Sequence, residues 1–127
     1  MSARILVVED SRVMRHMVRT ALEPDGYDLH EREDGRQALD AIPSVAPALV
    51  ITDVNMPEMD GLSLVRAIRT LASFRFIPVL VLTTESGDDM KREGRAAGAT
   101  GWIVKPFDPN QLREVVARVL RARAARR

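Results

Sequence analysis

The apolar residues of this chain fall in short runs at regular intervals, and their spacing changes from run to run. Ile5-Leu6-Val7-Val8, Ala48-Leu49-Val50-Ile51 (extending to Asp53) and Pro78-Val79-Leu80-Val81-Leu82-Thr83 are continuous and rich in β-branched residues. Such runs predict strands buried on both faces. Trp102-Ile103-Val104 is a shorter run of the same kind, and the more polar Tyr27 to Glu31 predicts a strand at a sheet edge. Between these runs the period lengthens to that of a helix. Val13, Met14, Met17, Val18, Ala21 and Leu22 share one predicted face, with Ser11 as N-cap and Pro24 and Gly26 as the stop. Arg36 to Ile42 predicts a short helix closed by Pro43, and Leu64, Val65, Ile68, Leu71 and Ala72 mark a third. Residues 87–97 predict a poor helix, anchored by Met90 and Ala97, with Gly94 inside and Gly98 at its end. The last helix is the best signalled: Asp108 as N-cap, Pro109 first, Gln111 third, then Leu112, Val115, Val116, Val119 and Leu120.

Five strands alternating with five helices imply βαβ units, hence an α/β fold with a doubly wound parallel sheet covered on both faces. A chain of 127 residues suits one domain with a real core, and with 46% hydrophobic but only 4% aromatic residues that core is aliphatic. The absence of cysteine excludes disulfides and thiolate metal sites and suits a reducing cytoplasm. The start, MSARILVVED, is too short in apolar residues for a signal peptide, and no run approaches membrane-spanning length. The expectation is a cytoplasmic protein. The net charge of +1 hides an asymmetry, because the last seven residues, RARAARR, hold four of the 19 basic residues and none of the 18 acids. The body is therefore mildly acidic, which argues against nucleic-acid binding, and the arginines suit a helix C-terminus.

In such sheets, ligands and chemistry gather beyond the carboxyl ends of the strands. There the chain places Glu9-Asp10, Asp53, Thr83-Thr84 and Lys105-Pro106. Two carboxylates about 5 Å apart repel by roughly 3 kcal/mol at an effective dielectric near 20, so three demand a cation or shifted pKa values. All-oxygen donors without Cys or a His cluster point to a hard ion, Mg²⁺ before Ca²⁺. A carboxylate beside Mg²⁺ and a lysine can attack phosphorus to give an aspartyl phosphate. Singly, each of these residues has an ordinary use as a cap, a solvated cation or a strand residue. Their joint placement at four strand ends favours chemistry.

The motifs LVVEDS, DVNMPEMDG, VLVLTTES and GATGWIVKPF, in that order and spacing, resemble the receiver domain of two-component response regulators, specifically the single-domain, CheY-like chemotaxis type. The resemblance covers about residues 3–122 and implies a receiver domain over 1–122, followed by a basic tail at 123–127. It also implies a flavodoxin-like sheet of order 2-1-3-4-5. By the resemblance, Asp53 is the phosphoacceptor, assisted by Lys105 and Thr83. Asp10, Asp53 and the Asn55 backbone carbonyl bind Mg²⁺, with Glu9 acting through water. Thr83 and Trp102 are the switch pair; Asn55, Thr84 and Glu85 tune dephosphorylation; and the bond before Pro106 is cis.

Three positions depart from the best-known members: Glu9 for an Asp, Trp102 for a Tyr, and Thr84 where a smaller residue is frequent. Trp102 has no hydroxyl, so its switching is steric or uses the indole N–H. The implied partners are a CheA-like histidine kinase as phosphodonor, a flagellar motor switch component or other output protein, and a phosphatase. The output face is the fourth helix, fifth strand and fifth helix. No nucleic acid and no membrane are expected, and the protein is expected to be no enzyme beyond assisting its own phosphorylation and dephosphorylation.

Other readings are a phosphate sink for a chemotaxis kinase and the receiver part of a DNA-binding transcriptional regulator. An electron-transfer flavodoxin fits poorly, since Glu9-Asp10-Ser11 would repel the flavin phosphate. A haloacid-dehalogenase-type phosphatase would want an acid where Asn55 stands. His16 and His30 attract no role.

Overall fold

In the computed structural model, which describes residues 2–85 and 87–125, the apolar runs form five parallel strands in the order β2-β1-β3-β4-β5. The elements in chain order are β1 (Arg4–Val8), α1 (Arg12–Leu22), a 3₁₀ turn (Glu23–Asp25), β2 (Asp28–Arg32), α2 (Gly35–Val45), β3 (Leu49–Asp53), α3 (Gly61–Arg69), β4 (Val79–Thr83), α4 (Asp88–Ala97), β5 (Gly101–Val104) and α5 (Pro109–Ala125). This is the doubly wound, flavodoxin-like α/β fold. Ser86 and the terminal Arg126 and Arg127 of the predicted motifs lie outside the described residues. Among the described residues no helix is long and apolar enough to cross a membrane.

Strand alternation sorts the core into two layers. Leu6, Val8, Val50, Val79 and Val81 face α2 and α3, together with Ala97 of α4. Ile5, Val7, Leu49, Ile51, Leu80, Leu82 and Ile103 face Val18 and Leu22 of α1 and Leu112 and Val116 of α5. Each such aliphatic side chain contributes about 1.5–3 kcal/mol on burial, so the two layers fix the register of the central strands. β2 lies at one edge of the sheet and has no fully buried residue, as its polarity predicted.

The helices start where their caps stand. Ser11, Asp34 and Asp60 each accept a backbone N–H from the residue three further on, at 3.2, 2.8 and 2.8 Å. Asp108 accepts the Asn110 N–H at 2.9 Å, with Pro109 opening α5.

Three local expectations fail. Val13 is 71% exposed and Met17 40% exposed, because they lie one residue, about 100°, round the helix from Met14 and Val18, which point at the sheet. Pro43 does not close α2. It sits exposed in the last turn while Val45 beyond it is buried, and Ala46 ends the helix at φ 48° with its N–H on Ile42 O. The third helix stops at Arg69 instead of including Leu71 and Ala72. There the Thr70 hydroxyl donates to Ala67 O at 2.6 Å, and backbone bonds three residues apart replace the helical ladder.

α4 is as poor as its sequence suggests. It has no side-chain N-cap, buries only Gly94 and Ala97, and ends at Gly98 in the left-handed region, φ 104°.

Candidate functional site

Register brings the chemically capable residues to one level. Val8 pairs with Thr52, so Glu9 follows β1 as Asp53 closes β3. Asp53 pairs with Leu82, and Thr83 pairs with Val104, which puts Lys105 just past β5. The Lys105 N–H donates to Thr83 O at 2.7 Å and extends that pairing by one residue. The peptide bond from Lys105 to Pro106 is cis.

Carboxylate oxygens of Glu9, Asp10 and Asp53 all lie within 4.8 Å of one another; Glu9 and Asp53 are buried and Asp10 is exposed. The Lys105 ammonium donates to Glu9 Oε1 at 2.8 Å and reaches Asp53 Oδ1 at 2.9 Å. Glu9 Oε2 accepts the Ser11 N–H at 2.9 Å, so both of its oxygens are engaged. On Asp53, the Val54 N–H at 2.8 Å and Lys105 both meet Oδ1. Among the described residues no hydrogen bond reaches Oδ2.

Three carboxylates at this spacing repel pairwise by about 3 kcal/mol, and one ammonium cannot balance them. Burial pushes the Glu9 carboxyl above its ordinary value; Asp10 and Asp53 add to this, against the lowering hydrogen bonds from Lys105 and Ser11. Burial alone would pull the Lys105 ammonium down, but its hydrogen bonds to Glu9 and Asp53 more than reverse that and raise it. The cluster carries a surplus of two negative charges on oxygen donors and has one exposed edge at Asp10. A divalent, oxygen-preferring cation fits that donor set.

Thr83 is buried, and its hydroxyl oxygen accepts the Glu85 N–H at 3.0 Å. Asn55, Thr84 and Glu85 are exposed around the cluster. Trp102 is half-buried on the α4 side of the sheet, the face that Thr83 shares by strand alternation. Its ring lies against Gly94, where an added Cβ would stand 2.9 Å from Cζ3. The Lys91 ammonium lies over the same ring, 5.8 Å from its centroid.

Several supports were not apparent beforehand. An added Cβ at Gly61 would stand 2.0 Å from the Asp53 carbonyl oxygen, so only glycine lets α3 begin against the end of β3. The Asp-Gly pair at 60–61 is the one sequence signal of this approach. Arg15 donates to the Glu9 carbonyl at 2.6 Å and leans on Glu31 and Glu33, which steadies the acidic loop from α1. A charged residue on an otherwise polar helix face gives no such signal.

A doubly wound sheet with an acidic cluster and a lysine at its carboxyl edge offers donors for a divalent cation and a positive group for an anion. The chain belongs to the response regulator receiver domain family, whose model matches residues 5–117. It is similar to the chemotaxis response regulator CheY4 of Vibrio cholerae, at 43% identity and a TM-score of 0.89 over 94% of this chain and 99% of that one. It is 41% identical to the chemotaxis protein CheY1 of Helicobacter pylori, over 92% of this chain and 96% of that protein. The response regulator MprA of Mycolicibacterium vanbaalenii is 40% identical, but there the match spans 94% of this chain and only 49% of the relative. The chain is thus a CheY-like receiver domain, a module of two-component signalling.

Proposed function

We propose that the chain receives a phosphoryl group on Asp53 from a histidine kinase and that this switches a partner-binding face in a chemotaxis pathway of the cytoplasm. The observation that carries this reading is the Lys105 ammonium held between Glu9 and Asp53, at 2.8 and 2.9 Å, beside exposed Asp10. Asp53 Oδ2 attacks the phosphorus of a phosphohistidine. The P–N bond breaks, its electron pair leaves on the imidazole nitrogen, and an aspartyl phosphate remains. Asp10, Asp53 and the Asn55 backbone carbonyl would hold Mg²⁺, with Glu9 acting through water, and the bound ion would neutralise charge on the phosphoryl oxygens. That Glu9 has both oxygens engaged by Lys105 and Ser11 supports its indirect place.

Lys105 pairs with the new dianion, and Thr83 exchanges its Glu85 contact for a phosphoryl oxygen. Trp102, on the same face of the sheet, responds to the space that Thr83 leaves and reshapes the surface of α4, β5 and α5. The short apolar inventory of α4 suits an element that shifts at low cost. Asn55, Thr84 and Glu85 line the approach of the water that hydrolyses the phosphate, and set its lifetime alone or with a phosphatase. The likeness to the chemotaxis proteins CheY4, at 43% identity, and CheY1, at 41%, supports a role in chemotaxis. A flagellar motor switch component is then the expected output partner.

The test is fluorescence of the sole tryptophan, Trp102, during incubation with acetyl phosphate and Mg²⁺. A Mg²⁺-dependent change that disappears in Asp53→Asn supports the reading; no change, or one that survives in Asp53→Asn, overturns it.

A further inference from the structure

The end of the sheet away from Asp53 carries a second feature. A groove of about 600 Å³ opens between the α3–β4 connection, Thr100 and the C-terminal half of α5. Its apolar lining includes Phe74, Phe76, Ile77, Pro78, Val119 and Ala122. It lies at the amino ends of β4 and β5, where the Thr100 N–H donates to Val79 O and the Thr100 hydroxyl accepts the Val79 N–H. Val79 and Thr83 bound β4, so groove and acidic cluster are about 13 Å apart along the strand.

Phe76 is 82% exposed on the rim, with the Arg75 guanidinium stacked over its ring at 4.8 Å. Arg118 and Arg123 border the groove, and a shallower adjoining hollow is lined by Arg69, Arg75, Phe76 and Thr100. None of the described residues lining either hollow is acidic. The chain composition reinforces this, because segments 69–79, 98–101 and 115–125, from which the linings are drawn, contain no Asp or Glu.

We propose that this groove docks an acidic protein segment that inserts bulky apolar side chains, independently of the phosphoryl site. Charge complementarity selects that occupant. A second copy would bring two arginine rims together. Nucleic acid would use the arginines and leave the apolar floor empty. A lipid surface would engage exposed Phe76 and leave the receding apolar floor empty.

The test is an NMR titration of the isotope-labelled full chain with a synthetic amphipathic helix of about 18 residues, Leu and Phe on one face and Glu on the other. The expected result is shifts at Phe74, Phe76, Thr100, Val119 and Ala122, weakened about tenfold by Phe76→Ser, by Arg118→Glu and by ~0.5 M salt. Asp53→Asn should bind as the parent does, which separates this test from the phosphoryl reading. Four results would overturn the proposal: no shifts at these residues up to ~1 mM peptide; equal binding of a peptide with Lys in place of Glu; a stronger response to phosphatidylglycerol vesicles or to a DNA duplex of about 20 base pairs; or self-association through the groove without peptide.

Discussion

Gly94→Ala sets two effects of known size against each other. In the interior of an exposed helix, replacing Gly by Ala stabilises by about 1 kcal/mol. Here the new Cβ would lie 2.9 Å from Trp102 Cζ3 and 3.4 Å from Cε3, inside the 3.5–4.0 Å at which carbon atoms attract. The ring must retreat by about 0.7 Å, and overpacking of this kind costs about 1–3 kcal/mol. The variant should therefore be equal to the parent or up to about 2 kcal/mol less stable. In a Trp102→Ala background the clash is gone and the same substitution should stabilise by about 1 kcal/mol. Urea denaturation followed by far-ultraviolet circular dichroism on the four proteins gives a coupling of about 1–3 kcal/mol. Trp102 emission in Gly94→Ala should shift to the red as the ring moves toward water. Equal stabilisation in both backgrounds, with unchanged emission, would refute the idea that Gly94 is kept small for the indole.

Other perturbations probe the site and its frame. Lys105→Met leaves buried Glu9 without its cation and should destabilise by about 3 kcal/mol. Since burial raises the Glu9 pKa above the ordinary carboxylate value, that loss should shrink as the pH is lowered from neutrality and the carboxyl takes up a proton; a pH-independent loss in urea denaturation would contradict this. Gly61→Ala opposes a Cβ to the Asp53 backbone carbonyl, where no flexible side chain can yield, and should destabilise by about 3 kcal/mol or more in the same assay. Asp25 binds Arg113 of α5 through two hydrogen bonds, at 2.8 and 3.1 Å, which hold its carboxyl below the ordinary value. The stability this pair contributes is present above the ordinary carboxylate range and lost as pH falls through the lowered pKa. The difference between parent and Asp25→Asn should therefore be constant near neutrality and vanish in acid.

What could be read from the chain follows the range of the forces involved. Strand runs, caps and the acids at strand ends are local in sequence, so Ser11 and Asp108 announce their helices, and Asp53 stands where its strand stops. Pro43 misleads because its cost is local while the burial of Val45 that outweighs it is tertiary. Val13 and Met17 mislead because an apolar stripe gives a direction without saying how wide an arc the sheet will cover. The end of α3 was hidden for a related reason. Arg69 donates to the carbonyls of Gly98, Arg75 and Ile77, a clamp between two loops that no pattern within either loop reveals. Its guanidinium is held below its ordinary pKa by burial, and among the described residues its hydrogen-bond partners are neutral carbonyls. That follows from its place, since the segments around it are the ones that lack acids. The same deficit that leaves Arg69 to backbone oxygens leaves the rim of the neighbouring groove without carboxylates. At the carboxyl edge of the sheet, acids accumulate beyond what one lysine can balance; around the groove at the amino ends of β4 and β5, arginines accumulate without acids. The two ends thus call for opposite kinds of charge, a cation beside Asp53 and an anionic segment beside Phe76.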